Sequence, residues 1–165
     1  MELRALRLDE VVRYDEVRLA TWRATYRGLV PDAFLDGLAV TAELTAARAE
    51  MATDPSYALN VAAVDGAVVG IAAAGPARDD DLDPDEVTEL GALYVLPDHW
   101  GAGIGRALLE AVLALRPRPA QVLWVLEGNA RSRAFYASCG FAPDGHRKLE
   151  DLGAPVAEVR LRRSS

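Results

Sequence analysis

"HWGAGIGRAL", residues His99 to Leu108, sets three glycines at alternate positions and then runs directly into an apolar helical pattern. The glycines are Gly101, Gly103 and Gly105, and the strand-like stretch "ELGALYVL" before them stops at Pro97. A helix begins with backbone N–H groups that lack partners inside it, and its aligned peptide dipoles make that end partly positive. Glycines ahead of such an end let the backbone approach a bulky anion, because no Cβ intervenes. Strand, glycine loop and helix therefore suit a phosphate. The plainer reading, that the glycines only shape a tight strand-to-helix turn, stands beside it. Two common fingerprints are excluded. The spacing does not meet G-x-G-x-x-G and lies far from an opening βαβ unit, and the lysine and hydroxyl of a P-loop are missing.

On either side of this stretch the apolar periodicity alternates between two periods. Glu2–Leu8 reads as a strand, and Asp9–Tyr26 as a helix with Val12, Leu19, Trp22 and Tyr26 near helical spacing. Asp9 suits its N-cap and Gly28 its C-terminal end, while Pro31 suits a first-turn position in the segment "VPDAFLDGL". Thr41–Met51 suits a second helix. "YALNVAAV", the turn Asp65-Gly66 and "AVVGIAAAG" form a hairpin pattern. The helix from Ile104 to Leu115 ends at "PRP", the strand "AQVLWVLE" comes next, and Asn129 opens the helix "ARSRAFYASC", which Gly140 stops. "GFAPDGHRKLE" and "PVAEVRLRR" read as a closing antiparallel pair. The order β-α-α-β-β-β-α-β-α-β-β predicts a mixed α/β (α+β) domain, a sheet with helices on both faces.

Bulk properties narrow the function. At 165 residues with 51% hydrophobic content the chain is expected to be one domain, residues 1–165, with a real core. No apolar run reaches the length of a membrane span, and the charged start "MELRALRLDE" is not a signal peptide. A net charge of -7 argues against a general nucleic-acid or membrane-surface binder. One cysteine, Cys139, and two histidines, His99 and His146, make neither an internal disulfide nor a metal-ligand cluster. The expectation is a cytoplasmic domain. The acidic segment "DDDLDPDE", Asp79 to Glu86, reads most simply as a solvated loop.

Two motifs in order sharpen this. "ELGALYVLPDHWGAGIGRALLEAV" resembles the acetyl-coenzyme-A binding motif of the GNAT superfamily of N-acetyltransferases, whose loop has the form Q/R-x-x-G-x-G/A. "LWVLEGNARSRAFYASCGFAPDG" resembles the next motif of that superfamily. Trp100 stands at the Q/R position, a departure that removes a polar side chain but leaves the backbone contacts available. The resemblance implies a central, mostly antiparallel sheet flanked by about four helices. It also implies that the backbone of Gly101, Ala102, Gly103, Ile104, Gly105 and Arg106 holds the coenzyme's pyrophosphate. Leu93, Tyr94 and Val95 would meet the pantetheine arm and thioester, with the Leu93 N–H polarising the carbonyl. Asn129 and Arg133, and Arg131 beside it, are further coenzyme candidates. Each also has an ordinary role, Asn129 as the N-cap of its helix and the arginines as solvated side chains.

The same resemblance implies Tyr136 as the general acid for the leaving thiolate, since a phenol is protonated at neutral pH, beside the plainer reading of a core or half-buried tyrosine next to Phe135. Glu89 would take a proton from the incoming ammonium, or else serve as a carboxylate at a strand end that draws in a cation. Cys139 near a helix end reads as core rather than as a nucleophile. Trp22, Tyr26 and Phe34 would line an acceptor pocket or pack the first helices on the sheet, with packing favoured for Trp22. The expected co-substrate is acetyl-coenzyme A without a metal, and the expected acceptor is a small-molecule or peptide amine. Dimers are common in the resembled family, so a homodimer is compatible. Two other classes stay open: a non-catalytic acyl-coenzyme-A sensor, and an enzyme using another nucleotide cofactor.

Overall fold

The computed structural model describes residues 1–164. Strand β1 (Glu2–Ala5) leads to helices α1 (Val11–Thr25), α2 (Asp32–Gly37) and α3 (Ala42–Thr53). Then come β2 (Ala58–Val64), β3 (Ala67–Pro76), β4 (Val87–Val95), α4 (Ile104–Ala114), β5 (Ala120–Leu126) and α5 (Ala130–Ser138), and the chain closes with β6 (Ala142–Asp151) and β7 (Pro155–Ser164). The seven strands form one sheet in the order β1-β2-β3-β4-β5-β7-β6. Every neighbouring pair is antiparallel except β4 with β5. Among the described residues no helix is long and apolar enough to cross a membrane.

The hairpin follows from its turn. Asp65 and Gly66 both take positive φ, 50° and 82°, the backbone of a two-residue turn that matches the twist of its strands. Along β3 the period of two sends Ile71 and Ala73 to one face and Ala72 and Ala74 to the other. Helix α4 covers the second face with a buried stripe of Ile104, Leu108, Leu109, Val112 and Leu113. Each such side chain contributes about 1.5–3 kcal/mol of apolar burial. Gly70 lies directly beneath, where a Cβ would stand 2.9 Å from Leu108 Cδ1, so α4 sits closer to β3 than any side chain at 70 would allow. Helices α1 and α3 cover the first face around Tyr14, Val17, Val61 and Ile71.

Several local expectations shift. Asp32–Gly37 forms a short helix of its own, α2, so the described residues hold five α-helices, and Pro31 precedes α2 as its cap instead of sitting in its first turn. Asp9 does not cap α1. It lies in a 3-10 turn, Leu8–Glu10, because the Glu10 carboxylate is drawn back to Arg4 of β1 at 2.6 and 2.7 Å. That turn also sets the phase of α1, burying Val11 and Tyr14 and leaving Val12 exposed. Thr41 caps α3 through its side chain, which accepts from the Leu44 N–H.

Strand β4 carries two irregularities. Ala73 pairs with Ala92 and Ala74 with Leu90, so Gly91 is an extra residue, a bulge. It flips the faces along β4, sending Leu90, Leu93 and Val95 toward α4 and Ala92 and Tyr94 toward α1. Parallel pairing of β4 with β5 then covers only Val87–Glu89 against Ala120–Val122. Beyond Glu89 the two strands part.

The acidic run is only half the solvated loop expected. Asp80, Asp83, Asp85 and Glu86 are exposed, but Asp79 and Asp81 close on Arg160 of β7, at 2.9 and 2.7 Å. Arg160 is 2% exposed and also holds Asp144 at 2.7 Å. A guanidinium this buried needs every donor matched, and three carboxylates supply the partners. The Arg160 hydrogen bond, opposed by a smaller cost of desolvation, holds Asp81 at about 2. A folded-state value below the unfolded one of about 3.9 stabilises the fold above that unfolded value. The gain is lost as pH falls toward about 2. In urea unfolding, Arg160→Gln is therefore expected to have a lower midpoint than the parent near pH 7. The gap should shrink steadily between about pH 5 and pH 2.

Candidate active site

Where β4 and β5 part, a cavity of about 610 Å³ passes through the sheet. One end is lined by the loop before α4 and by α5, the other by α1 and the outer faces of β6 and β7. The half of β4 from Leu90 to Val95 runs along it with backbone groups that have no β5 partner.

The glycine end is a backbone concavity. Gly101 and Gly103 both have φ of +80°, and a Cβ built on either meets nothing within 4 Å. Gly103 is the N-cap residue of α4 and supplies no side-chain cap, so the first N–H groups of that helix stay open toward the cavity. Gly105 serves packing instead, since its Cβ position lies 3.6 Å from the Phe135 ring. Trp100 ties the loop down. Its indole N–H donates to the Val95 carbonyl at 2.6 Å, and the Arg131 guanidinium stacks on its ring at 3.6 Å. The position where the motif carries a polar side chain thus holds a structural strut.

Tyr136 is buried among Phe135 and Phe141, yet it lines the cavity, and its hydroxyl has no hydrogen-bond partner among the described residues. Burial, with a smaller push from Tyr94, raises its phenol well above the ordinary range, so it holds its proton. Burial does the same to Tyr26 and Tyr94. Glu89, 4% exposed, sits at the last paired residue of β4. Both of its oxygens accept from Arg78, from the backbone N–H at 3.0 Å and from the guanidinium. It is an ion-paired carboxylate and not a solvated one.

The structure collects most but not all of the expected residues. Leu93, Tyr94, Val95, Gly101, Gly103, Ile104, Gly105, Arg106, Glu89 and Tyr136 line the cavity. Arg106 is tied to the end of α5 through the Ser138 carbonyl and hydroxyl, at 3.1 and 2.9 Å. Ala102, Asn129 and Arg133 are not in the lining. Asn129 caps α5 by accepting from the Ser132 N–H at 3.1 Å, and Arg133 donates to the Glu127 carbonyl. Arg131 lines the wall instead, because its place two residues earlier puts it on a different face of α5, over Trp100. Cys139 is buried and away from the lining. Trp22 and Tyr26 line the far end, stacked edge to face at 5.1 Å, while Phe34 packs against Gly153 outside it.

Two residues that the sequence reading passed over complete that far end. Glu158 of β7 lines the cavity with Lys148 of β6, their Oε2 and Nζ 3.5 Å apart. Burial, opposed by Lys148, raises the Glu158 carboxyl above its ordinary value. Alternation in "PVAEVRLRR" places Glu158 and Arg160 on one face, but nothing in a single strand tells which face borders a cavity.

Comparison with known proteins agrees with this architecture. The model of the acetyltransferase (GNAT) family matches residues 15–141. An uncharacterized N-acetyltransferase of Mycobacterium bovis is 41% identical over 119 residues, 70% of this chain and 72% of that protein. A peptidyl-lysine N-acetyltransferase of Escherichia coli is 36% identical over 72 residues, 44% of this chain and 48% of that one. The structure of a putative acetyltransferase from Salmonella typhimurium with its cofactor acetyl-CoA superposes with a TM-score of 0.76 at 22% identity, covering 99% of this chain and 93% of that one. With a family match over most of its length and a sheet that opens between β4 and β5 beside a glycine loop, the chain belongs to the GNAT family of acetyltransferases.

Proposed function

We propose that the protein moves an acetyl group from acetyl-coenzyme A to a primary amine of a small molecule or peptide, by direct attack with both substrates bound. The observation that carries this reading is the parted sheet. It joins an uncapped helix N-terminus on one face to an aromatic, carboxylate-bearing recess on the other, with a buried phenol between them. The open space at Gly101 and Gly103 fits a pyrophosphate, and the unpaired edge of β4 fits an extended amide-bearing arm. The relative named for peptidyl-lysine acetylation is consistent with an amine acceptor.

In this mechanism acetyl-coenzyme A supplies a thioester, an acyl group on a good leaving sulfur. The N–H groups from Gly101 to Arg106 hold its pyrophosphate, and Arg131 adds a positive charge at that wall. The Leu93 N–H donates to the carbonyl oxygen, where negative charge grows. Tyr136, which burial keeps protonated, gives its proton to the departing sulfur. Glu89 takes a proton from the acceptor ammonium through water, with Arg78 holding its carboxylate at the opening. Trp22, Tyr26 and Tyr94 supply ring faces and edges to the amine-bearing substrate, and Glu158 supplies negative charge.

Three results test these roles. Gly103→Val is expected to weaken coenzyme A binding by at least tenfold in calorimetry while the thermal unfolding stays cooperative. A β-branched residue would fill the open cradle and strain a backbone at φ +80°. Tyr136→Phe should retain coenzyme affinity and lose turnover by roughly 10²–10⁴-fold, the usual worth of general acid catalysis. A sensor without turnover would show no such loss, because there would be no amine-dependent thiol release in the parent. Glu89→Gln should depress turnover most at low pH, where the acceptor is largely ammonium, and recover partly as pH rises. A turnover profile that matches the parent at every pH would remove Glu89 as the base.

A further inference from the structure

Lys148 is the single lysine of the chain, and the other basic side chains are all arginine, the two histidines aside. Lysine and arginine are not interchangeable chemically. A guanidinium stays protonated in proteins, whereas an ammonium on a flexible stem can lose a proton and become a nucleophile. This one lysine stands inside the acceptor end of the cavity. Its Nζ lies 4.4 Å from the centre of the Trp124 ring and 3.5 Å from Glu158 Oε2.

Its placement relative to the gap is informative. Val122 is the last β5 residue paired with β4, so Trp124, two residues on, flanks the opening. The Lys148 ammonium on the Trp124 face therefore sits where the sheet parts, on the side from which an acceptor amine would enter. The hold on it is loose. At 3.5 Å the contact with Glu158 is too long for a strong charge-assisted hydrogen bond, and 41% of the lysine side chain remains exposed. Arg160, one strand over, shows the contrast, with carboxylate contacts between 2.7 and 2.9 Å and 2% exposure. The arginine is fixed, and the lysine is free to reach.

We propose that Lys148 is an acetyl acceptor of the protein's own site, so that the enzyme acetylates itself at this position. The proposal rests on the acetyl-transfer reading above. Lys148 Nζ, after giving a proton to Glu158, forms a bond to the thioester carbonyl carbon, and the carbon–sulfur bond breaks. Of the two protons the nitrogen sheds, one passes through Glu158 to water. The other replaces the proton that Tyr136 gives to sulfur. The products are an amide at Lys148, free coenzyme A and one released proton. Loss of the charge leaves Glu158 and Glu150 without the nearby ammonium and makes the acceptor end more negative, which favours cationic amines over anionic ones.

The test incubates the whole chain with acetyl-coenzyme A, cleaves it with trypsin and reads the fragments by mass spectrometry. The expected result is one acetyl group on Lys148, detected in an uncut fragment from Lys148 to Arg160, because trypsin does not cleave after acetyl-lysine. Tyr136→Phe, checked by calorimetry to bind coenzyme A, should acquire it roughly 10²–10⁴-fold more slowly, and Lys148→Arg should be cut after position 148 and carry no acetyl group on the fragment from Leu149 to Arg160. The rate per molecule should not change with protein concentration. Equal labelling of native and urea-unfolded chain, or a rate that climbs with concentration, overturns self-transfer. An unmodified Lys148 in a protein that acetylates a supplied amine also overturns it, and leaves the acetyltransferase reading intact. Absence of coenzyme A binding in calorimetry removes that reading and the proposal together.

Discussion

The parallel pairing of β4 with β5 ends after three residues, and the functional architecture depends on that failure. A sheet that stayed closed would satisfy its own backbone and leave no path from one face to the other. Here β3 holds β4 on one edge and β7 holds β5 on the far edge, both over nearly their full lengths. The two halves of the sheet are each well anchored, so the gap between them is a stable feature. The Gly91 bulge adds curvature at the point of divergence and reverses which side chains face α4. Leu93 and Tyr94 acquire their positions from that single extra residue.

Charge is distributed in two ways around this opening. On the outer strands Asp79, Asp81 and Asp144 gather around the buried guanidinium of Arg160, with the Trp124 indole N–H also donating to Asp79 at 3.0 Å. This cluster anchors the start of the acidic loop to the sheet beside the cavity, where Arg78 reaches Glu89. The inner pairs, Glu89 with Arg78 and Glu158 with Lys148, leave at least one partner in contact with solvent. At the cluster the cation Arg160 is enclosed and Asp81 reaches solvent, whereas at the cavity the carboxylates are the more enclosed partners and the cations, Arg78 and Lys148, stay accessible.

The aromatic groups show a similar division of labour. Three phenols, Tyr26, Tyr94 and Tyr136, lie along the cavity, and burial keeps each protonated. Tyr136 is braced by Phe135 and Phe141, which fixes its ring without using its hydroxyl. Trp100 and Trp124 brace the two ends, one as a strut under Arg131 and the other as a platform under Lys148.

Tyr136 and Glu89 are expected only through the resemblance of two motifs to a family; by itself the sequence determined the glycine turn and, apart from the short helix α2, the order of elements. Those features are contiguous: a positive-φ glycine, a helix start and an apolar stripe all act within a few residues, so local spacing reveals them. The tertiary structure alone decided what lies across strands. Glu158, Lys148 and Trp124 meet because β5, β6 and β7 pair in one register, and no single segment carries that information. It also decided that Asn129 turns to its own helix as the N-cap while Arg131, in the first turn of α5, turns to the cavity over Trp100. The acidic run was legible as charge but not as an anchor, because its partner, Arg160, lies about 80 residues further along the chain and only the folded sheet brings it into the buried position that makes the pairing obligatory.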